Sequence, residues 1–172
     1  MANDHLLKGD VWVREAVDRY EGPLLRYAAR ITGDAERARD AVQETFLRLC
    51  RQDQVELDGH LAQWLYTVCR NQALDVRRKE TPMKAMSPAV AEACTSREPS
   101  QAAVLEQQET NHQILQLVDR LPPNQQEVVR LKFQCGLSYR EIAAVTELSV
   151  SNVGYLIHTA VRALREGLGA GN

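Results

Sequence analysis

The C-terminal third of the chain contains two short amphipathic segments separated by a few residues. Ser138 and Glu141 have the spacing of a capping box, which predicts that a helix begins at Ser138. Ser149 can accept a hydrogen bond from the first turn of a following helix, so a second helix is expected there. Only Thr146 to Ser149 remain for the turn, which is the tight connection that a helix-turn-helix needs to present its second helix to a groove. This pattern predicts a protein that reads DNA.

Length, hydropathy and charge exclude several classes of protein. A chain of 172 residues is long enough for one domain or two small ones. It has no apolar run that could cross a bilayer, and residues 1–8 lack the basic start and apolar core of a signal peptide. We therefore expect a cytoplasmic protein with no membrane insertion. A net charge of −2 argues against strong nonspecific binding of nucleic acid by the whole chain, but not against local basic patches.

The sequence shows no site for catalysis or for a metal. Cys50, Cys69, Cys94 and Cys135 lie far apart, so neither a zinc ribbon nor a disulfide framework is indicated. Cys50 and Cys69 fall in apolar helical stretches, where we expect buried thiols. The four histidines are scattered, and no Ser-His-Asp set or glycine-rich phosphate loop is present. We expect no enzymatic activity, no cofactor and no metal.

The first half of the chain has a helical pattern from Asp10 to about Lys79. Asp10 is the candidate N-cap of the first helix, Gly22-Pro23 is expected to kink or divide it, and Thr32-Gly33 to end it. Asp34 can then cap the second helix. The apolar positions of the first helix recur every three or four residues: Val13, Val17, Tyr20, Leu24, Tyr27 and Ile31.

The second helix is expected to bury one stripe and expose the other side. Gln52 to Gly59 is polar and is predicted to be a loop, followed by a third helix from His60 to about Lys79. Trp64 and Tyr66 are expected in its core, although aromatic rings can also stack on unpaired bases. The basic run Arg77-Arg-Lys can contact phosphates. Alternatively, its positive charges can interact favourably with the negative, C-terminal end of the helix dipole. The buried stripe is Ala38, Val42, Thr45, Phe46 and Leu49, and the wet side is Asp40, Gln43, Glu44 and Arg48.

The second half of the chain begins after a change in composition. Thr81 to Ser100 is rich in proline, alanine and serine and is predicted to be a flexible linker. A helix from Gln101 to Arg120 is expected to end at Leu121-Pro-Pro, with Pro123 opening the next one and Gly136 ending it. No strand pattern is present. The sequence predicts an all-α protein of two small helical domains, 1–80 and 101–172, joined by the linker 81–100.

Three motifs resemble one family. Leu121-Pro-Pro-Asn-Gln-Gln-Glu-Val with Leu137-Ser-Tyr-Arg-Glu-Ile-Ala resembles the C-terminal domain of bacterial sigma factors. The stretches from Asp40 to Leu49 and from Trp64 to Arg78 resemble the two halves of the promoter-binding N-terminal domain. Their order, and their separation by a linker, resemble the extracytoplasmic-function (ECF) sigma factors.

The resemblance implies which partners the protein binds. It implies binding of core RNA polymerase through Asp40, Gln43 and Glu44, followed by recognition and opening of promoter DNA, and binding of an anti-sigma factor or another regulator. The linker would thread towards the active-site and RNA-exit channels of the polymerase. Trp64 matches a position that has a mainly structural role in the family, so it is kept as a core residue. The implied minus-ten contacts are the loop 55–60 and the residues His60, Gln63, Arg70, Asn71, Arg77, Arg78 and Lys79.

The predicted recognition helix departs from the family. The family usually has a threonine and several basic residues where this chain has Asn152, Gly154, Leu156 and Thr159, and Arg39 stands where an acid is common. Asn152 can read adenine and Ser151 can meet a phosphate. Gly154 lowers helix propensity by about 1 kcal/mol, or permits a close backbone approach. The predicted buried stripe is Val150, Val153, Ile157, Val161 and Leu164. The predicted upstream-element contacts are Arg140, Ser151, Asn152, Tyr155, Thr159 and Arg162, with His158 also facing outward.

Two other functions remain open at this point. A one-component helix-turn-helix regulator accounts for the C-terminal motifs but not for those of the N-terminal half. A protein whose C-terminal domain docks an anti-sigma factor or a sensor would account for the few basic residues of the recognition helix.

Overall fold

The computed structural model describes residues 2–80 and 113–169, with side chains from 11 to 79 and from 113 to 169. The chain divides into two compact units, Met1–Cys94 and Thr95–Asn172. Every regular element in the described ranges is a helix, which confirms the predicted all-helical class. The predicted linker 81–100, and the first part of the helix predicted from Gln101, lie outside the described residues.

The first unit contains α1 (Ala2–Thr32), α2 (Ala35–Leu49), the short α3 (Gln54–Leu57) and α4 (Leu61–Glu80). Helices α1, α2 and α4 each pack on the other two. At their centre the rings of Tyr27 and Tyr66 meet edge to face, with centroids 5.3 Å apart. The core side chains from the three helices are Ala16, Leu24, Tyr27, Ala28, Ala38, Ala41, Val42, Thr45, Leu49, Leu65, Tyr66, Cys69 and Ala73.

Helix α1 is longer and more regular than expected. It begins at Ala2, before the predicted N-cap Asp10, and runs through Pro23 to Thr32 without dividing. Proline costs a helix one backbone hydrogen bond. Ala16 and Leu24, before and after Pro23 in sequence, are both buried in the unit. Because tertiary packing supplies most of a helix's stability, this burial offsets the lost bond.

The ends of the helices agree better with the sequence predictions, because capping depends on nearby residues. Gly33 has a φ of +70°, and the Asp34 carboxylate accepts from the backbone N–H of Arg37 at 2.9 Å, as predicted for the start of α2. The predicted loop 52–59 is wrong in part, because it contains α3. The Asp53 carboxylate caps this helix by accepting from the backbone N–H of Val55 at 2.9 Å, and Leu57 is buried. A single helical turn is too short to show a periodic pattern.

The second unit contains a helix over 113–119 (α5), α6 (Pro123–Phe133), α7 (Tyr139–Thr146) and α8 (Val150–Gly169). Pro123 is the first residue of α6, as predicted. Helices α6, α7 and α8 pack on one another. Among the described residues the core of this unit includes Val118, Leu121, Val128, Leu131, Leu137, Ile142, Val145, Val153, Ile157 and Ala160.

The helix-turn-helix forms as its capping residues predict. Ser138 Oγ accepts from the backbone N–H of Glu141 at 3.3 Å, and Glu141 Oε2 accepts from that of Ser138 at 2.7 Å. Helix α7 ends at Thr146, and Glu147 adopts the left-handed conformation with φ +59°. Ser149 Oγ then accepts from the backbone N–H of Asn152 at 3.1 Å, so α8 starts where predicted.

Candidate functional site

One side of α2 carries the three residues assigned to polymerase binding. Asp40, Gln43 and Glu44 have the spacing i, i+3 and i+4, so they share one side of the helix. Asp40 and Gln43 are exposed and Glu44 is half-buried, while the opposite side of α2 packs in the core. We call these three residues the acidic face. The predicted division of α2 into a buried and an exposed side is confirmed except at Phe46 and Glu44, which are both half-buried.

Leu47 lies beside the acidic face, and the sequence reasoning missed it. It follows Asp40 by seven residues, about two helical turns, and its exposed fraction is 50%. This spacing alone could have placed it there. The exposed side of α2 therefore presents an apolar group next to its carboxylates.

Glu44 is held by a neighbour on the same helix. Arg48 Nε donates to Glu44 Oε1 at 2.9 Å. The Arg48 guanidinium also reaches Gln72 on α4, whose amide oxygen accepts from Nη1 at 3.2 Å and from Nη2 at 3.0 Å when the amide is oriented with its oxygen towards Arg48. Arg48 therefore connects the acidic face with α4.

Helix α4 carries the predicted minus-ten residues in two neighbouring rows. Gln63, Arg70 and Arg77 recur every seven residues and form one row, and Asn71 and Arg78 form the second. Gln63 and Arg70 are half-buried, and Asn71, Arg77 and Arg78 are exposed. We call these five residues the α4 face.

Two predicted minus-ten residues stand apart from the α4 face. Lys79 follows Arg77 by two residues, about 200° around the helix, so the two cations point to nearly opposite sides. Lys79 therefore lies outside the row of Gln63, Arg70 and Arg77. His60 lies before the first turn of α4, and its Nδ1 is 3.1 Å from the carbonyl oxygen of Asp58. It is exposed, in the segment that follows α3.

The aromatic residues of α4 differ in their exposure. Tyr66 is buried in the core, which excludes the stacking alternative for its ring. Trp64, which was expected in the core, is half-buried. Val55 on α3 is 80% exposed, an apolar group in the predicted minus-ten segment 55–60. On the α4 face Arg78 Nη2 lies 3.6 Å from Asp75 Oδ1, a loose and exposed pair that contributes little to stability.

The predicted upstream-element residues mark one side of α8. Ser151, Asn152, Tyr155 and Arg162 are exposed and Thr159 is half-buried. We call these five residues the recognition face. Tyr155 is 66% exposed, and Arg162 Nε lies 4.0 Å from Glu166 Oε1. Exposed Arg140 lies in the first turn of α7, and exposed His158 accompanies the recognition face.

The buried side of α8 differs in part from the predicted stripe. Val153 and Ile157 are buried as expected, together with Leu156, while Val161 and Leu164 are half-buried. Val150 is 45% exposed, so its place in the buried stripe was wrong. It is the first residue of the helix and lies before the region where α8 packs on the core.

No close contact with a neighbouring residue requires a glycine at Gly154. A Cβ added there would lie 3.7 Å from Cε2 of Tyr139, which is an ordinary van der Waals distance. At Gly167 an added Cβ would lie 2.9 Å from Cδ2 of Leu117, so the close packing of α8 occurs at its other end. The glycine in the recognition helix therefore lowers helix propensity without a packing reason.

The two cysteines of the first unit have different environments. Cys69 is buried, and desolvation raises the pKa of its thiol from 9.0 to about 12, against a smaller lowering by a hydrogen bond with Thr45. Cys50 was predicted to be buried but is exposed, because it is the residue that follows α2. Within the described residues no group of three His, Cys, Asp or Glu side chains could hold a metal, and no helix could span a membrane.

Comparison with known proteins decides the family. Sigma-70 region 2 matches residues 16–82, and Sigma-70, region 4 matches residues 111–164. The ECF RNA polymerase sigma factor SigL of Mycobacterium tuberculosis is 32% identical over 159 residues, which cover 89% of this chain and 86% of SigL. The chain belongs to the ECF sigma factors. The region 2 match accounts for the two N-terminal motifs that a one-component regulator leaves unexplained.

Solved structures share the fold of this ECF sigma factor. CnrH, solved in complex with the cytosolic domain of CnrY, is 27% identical with a TM-score of 0.55 and covers 93% of this chain and 89% of its own. RpoE of Bartonella quintana, solved with the anti-sigma factor NepR, has a TM-score of 0.67 over 92% of this chain and 98% of its own. At 19% identity the second likeness shows the fold alone.

Proposed function

We propose that the two units of this ECF sigma factor divide promoter recognition between them. Residues 1–80 bind core RNA polymerase and the minus-ten element, residues 101–172 bind the upstream element, and residues 81–100 link them. The observation that carries this assignment is that the motifs of each unit lie on helix faces whose side chains are exposed or half-buried: the acidic face and the α4 face in one, the recognition face in the other. The protein has no enzymatic activity of its own and works in the cytoplasm, where the polymerase acts.

Polymerase binding is assigned to the acidic face. Carboxylates on an exposed helix complement a cationic surface, and such pairs guide encounter and fix the register of a complex. Asp40 and Glu44 supply the charge and Gln43 a neutral hydrogen-bonding group. Leu47 supplies apolar area beside them.

Minus-ten recognition is assigned to the α4 face. A separated DNA strand offers phosphates along its backbone and the edges of unpaired bases. Arg70, Arg77 and Arg78 suit the phosphates, while Asn71 and Gln63 can form hydrogen bonds with base edges. Both kinds of side chain lie in adjacent rows of one helix, which is the arrangement that a single strand following the helix requires.

Upstream-element recognition is assigned to the recognition face. The first turns of a recognition helix reach base edges in the major groove, and Asn152 and Tyr155 lie in those turns. Cations are few, so phosphate contacts fall mainly to Arg140, Arg162 and the start of α8. We expect weak DNA binding by this unit alone. An anti-sigma factor or another regulator is a further partner, supported by the complex of CnrH with the cytosolic domain of CnrY.

The polymerase contact can be tested by charge reversal. Asp40→Arg with Glu44→Arg should abolish co-purification with core RNA polymerase and leave the thermal melt unchanged, because surface substitutions usually change stability by less than about 0.5 kcal/mol. The matched control is Asp18→Arg with Glu21→Arg, which makes the same change of charge on exposed positions of α1. Co-purification of the first variant at the wild-type level would remove the acidic face from the interface.

A further inference from the structure

Arg48 occupies a position between a binding surface and the body of the first unit. Its Nε donates to Glu44 in the acidic face at 2.9 Å. With the Gln72 amide oriented so that its oxygen faces Arg48, this oxygen on α4 accepts from Nη1 at 3.2 Å and from Nη2 at 3.0 Å. Gln72 is half-buried on a helix that packs directly against α2. The guanidinium is therefore anchored at its far end while its near end meets a carboxylate.

We propose that Arg48 is a positioning residue for polymerase binding, which fixes the Glu44 carboxylate before core polymerase arrives. The inference rests on the proposed function, since it takes Glu44 as a polymerase contact. Arg48 occupies Oε1 of Glu44, and 42% of the Glu44 side chain is exposed. The second carboxylate oxygen can therefore meet a cation of the partner while the first stays in place.

Only arginine suits this position. Its guanidinium is a rigid planar fork, so one side chain can donate from Nε to Glu44 and from both Nη atoms to Gln72. A lysine ammonium keeps the charge but is a compact group on a flexible stem, and it cannot span both partners in this way. Asp40 differs from Glu44, because its carboxylate forms no hydrogen bond or ion pair with any residue that the structure describes. The acidic face thus has one fixed carboxylate and one free to turn.

The effect of this arrangement should appear in affinity rather than in stability. Exposed ion pairs contribute little to folding. Ordering one long side chain at an interface costs the equivalent of about two- to twelvefold in affinity, and fixing it beforehand removes part of that cost. If Arg48 only masked the charge of Glu44, its removal would strengthen binding to a cationic partner. The two roles therefore differ in the sign of the effect.

The test measures the dissociation constant of the full-length protein for core RNA polymerase. We expect Arg48→Ala to weaken binding by about three- to tenfold, and Arg48→Lys and Gln72→Ala to give smaller losses, with thermal melts close to the wild type. Arg14→Ala is the control, because it removes the same charge from an exposed position on α1, away from the acidic face of α2. Its affinity should stay at the wild-type value.

A double-mutant cycle with Glu44→Ala separates the possible failures. In the Glu44→Ala background, Arg48→Ala should cause no further loss. A further loss there, or unchanged or tighter binding by Arg48→Ala alone, overturns the positioning role. If Glu44→Ala itself leaves the affinity unchanged, the polymerase role of Glu44 fails, and the positioning role fails with it.

Discussion

Arg130 on α6 and Asp119 at the end of α5 form an ion pair across the Leu121-Pro122-Pro123 corner, with Nη2 2.6 Å from Oδ1. The Arg130 side chain is only 5% exposed, whereas Asp119 is 56% exposed. Gln126 Nε2 donates to the backbone oxygens of Asp119 and Leu121 at 3.0 and 2.8 Å. The two Gln126 hydrogen bonds satisfy backbone carbonyl groups at the end of α5 and in the corner that follows it, where no helical partner is available. The motif that resembles region 4 thus fixes how α6 follows α5.

Asp119→Ala should lower the free energy of unfolding by roughly 1–3 kcal/mol, because it removes a charged partner from a buried guanidinium. Urea unfolding of the full-length protein measures the change. Glu166→Ala is a suitable control, since it removes the exposed partner of Arg162 at 4.0 Å and should have little effect. Equal losses in the two variants would contradict a special role for the Arg130 pair.

Gly154→Ala should raise the free energy of unfolding by about 0.5–1 kcal/mol, through better helix propensity and a less flexible unfolded chain. The new methyl group would meet Tyr139 at an ordinary distance of 3.7 Å. In Gly167→Ala the methyl group would meet Leu117 Cδ2 at 2.9 Å, so the leucine must shift and the gain should be reduced or lost. Thermal or urea unfolding compares the two. A larger gain at Gly167 would refute this account.

Asn71→Ala and Arg78→Ala should affect promoter binding in different ways. Arg78 is assigned to a phosphate, so its loss should weaken binding to all sequences alike and reduce the salt dependence by about one charge. Asn71 is assigned to a base, so its loss should cost roughly 1–3 kcal/mol at one minus-ten position. Holoenzyme binding to a set of single-base promoter variants at several salt concentrations measures both. Identical losses on every variant would show that Asn71 does not read a base.

Asn152→Ala should reduce transcription from promoters that contain the native upstream element, because we assign this residue, in the first turns of α8, to contacts with base edges. Multi-round transcription with core polymerase measures the effect. Deleting the element should remove the difference between the variant and the wild type. Full activity on every promoter, with loss of a protein partner in a pull-down, would instead support a docking role for this helix.

Cys69 should make stability depend on pH in the alkaline range. Its folded pKa is raised from 9.0 to about 12, so above about pH 9 the unfolded chain loses a proton that the folded chain keeps. The stability that this thiol contributes is complete below that pH and is lost as the pH rises towards 12. Between about pH 8 and 11 the wild type should lose more unfolding free energy than Cys69→Ala. Parallel losses in the two proteins would show that Cys69 does not titrate on unfolding.

Local chemistry could be predicted from the sequence most accurately. Ser138, Glu141 and Ser149 cap their helices as expected, because a cap depends on residues that are three positions apart in the chain. The exposed side of α2 also followed from helical spacing. These features need no knowledge of the tertiary fold.

Features that depend on packing between helices were predicted less well. Pro23 does not interrupt α1, because the burial of Ala16 and Leu24 outweighs a local penalty. Val150 lies at a helix start, outside the packed part of the stripe that periodicity assigned to it. The connection from Glu44 through Arg48 to Gln72 joins two helices, and no pattern within either helix indicates it.

The exposed thiol of Cys50 offers a site for attaching a fluorescent dye to the protein. It follows Leu47 by three residues at the end of α2, close to the acidic face, while the protonated and buried Cys69 should resist alkylation. With Cys94 and half-buried Cys135 replaced by serine, a maleimide dye should attach at Cys50. The fluorescence of that dye would then report, molecule by molecule, when the sigma factor joins the polymerase and when it leaves.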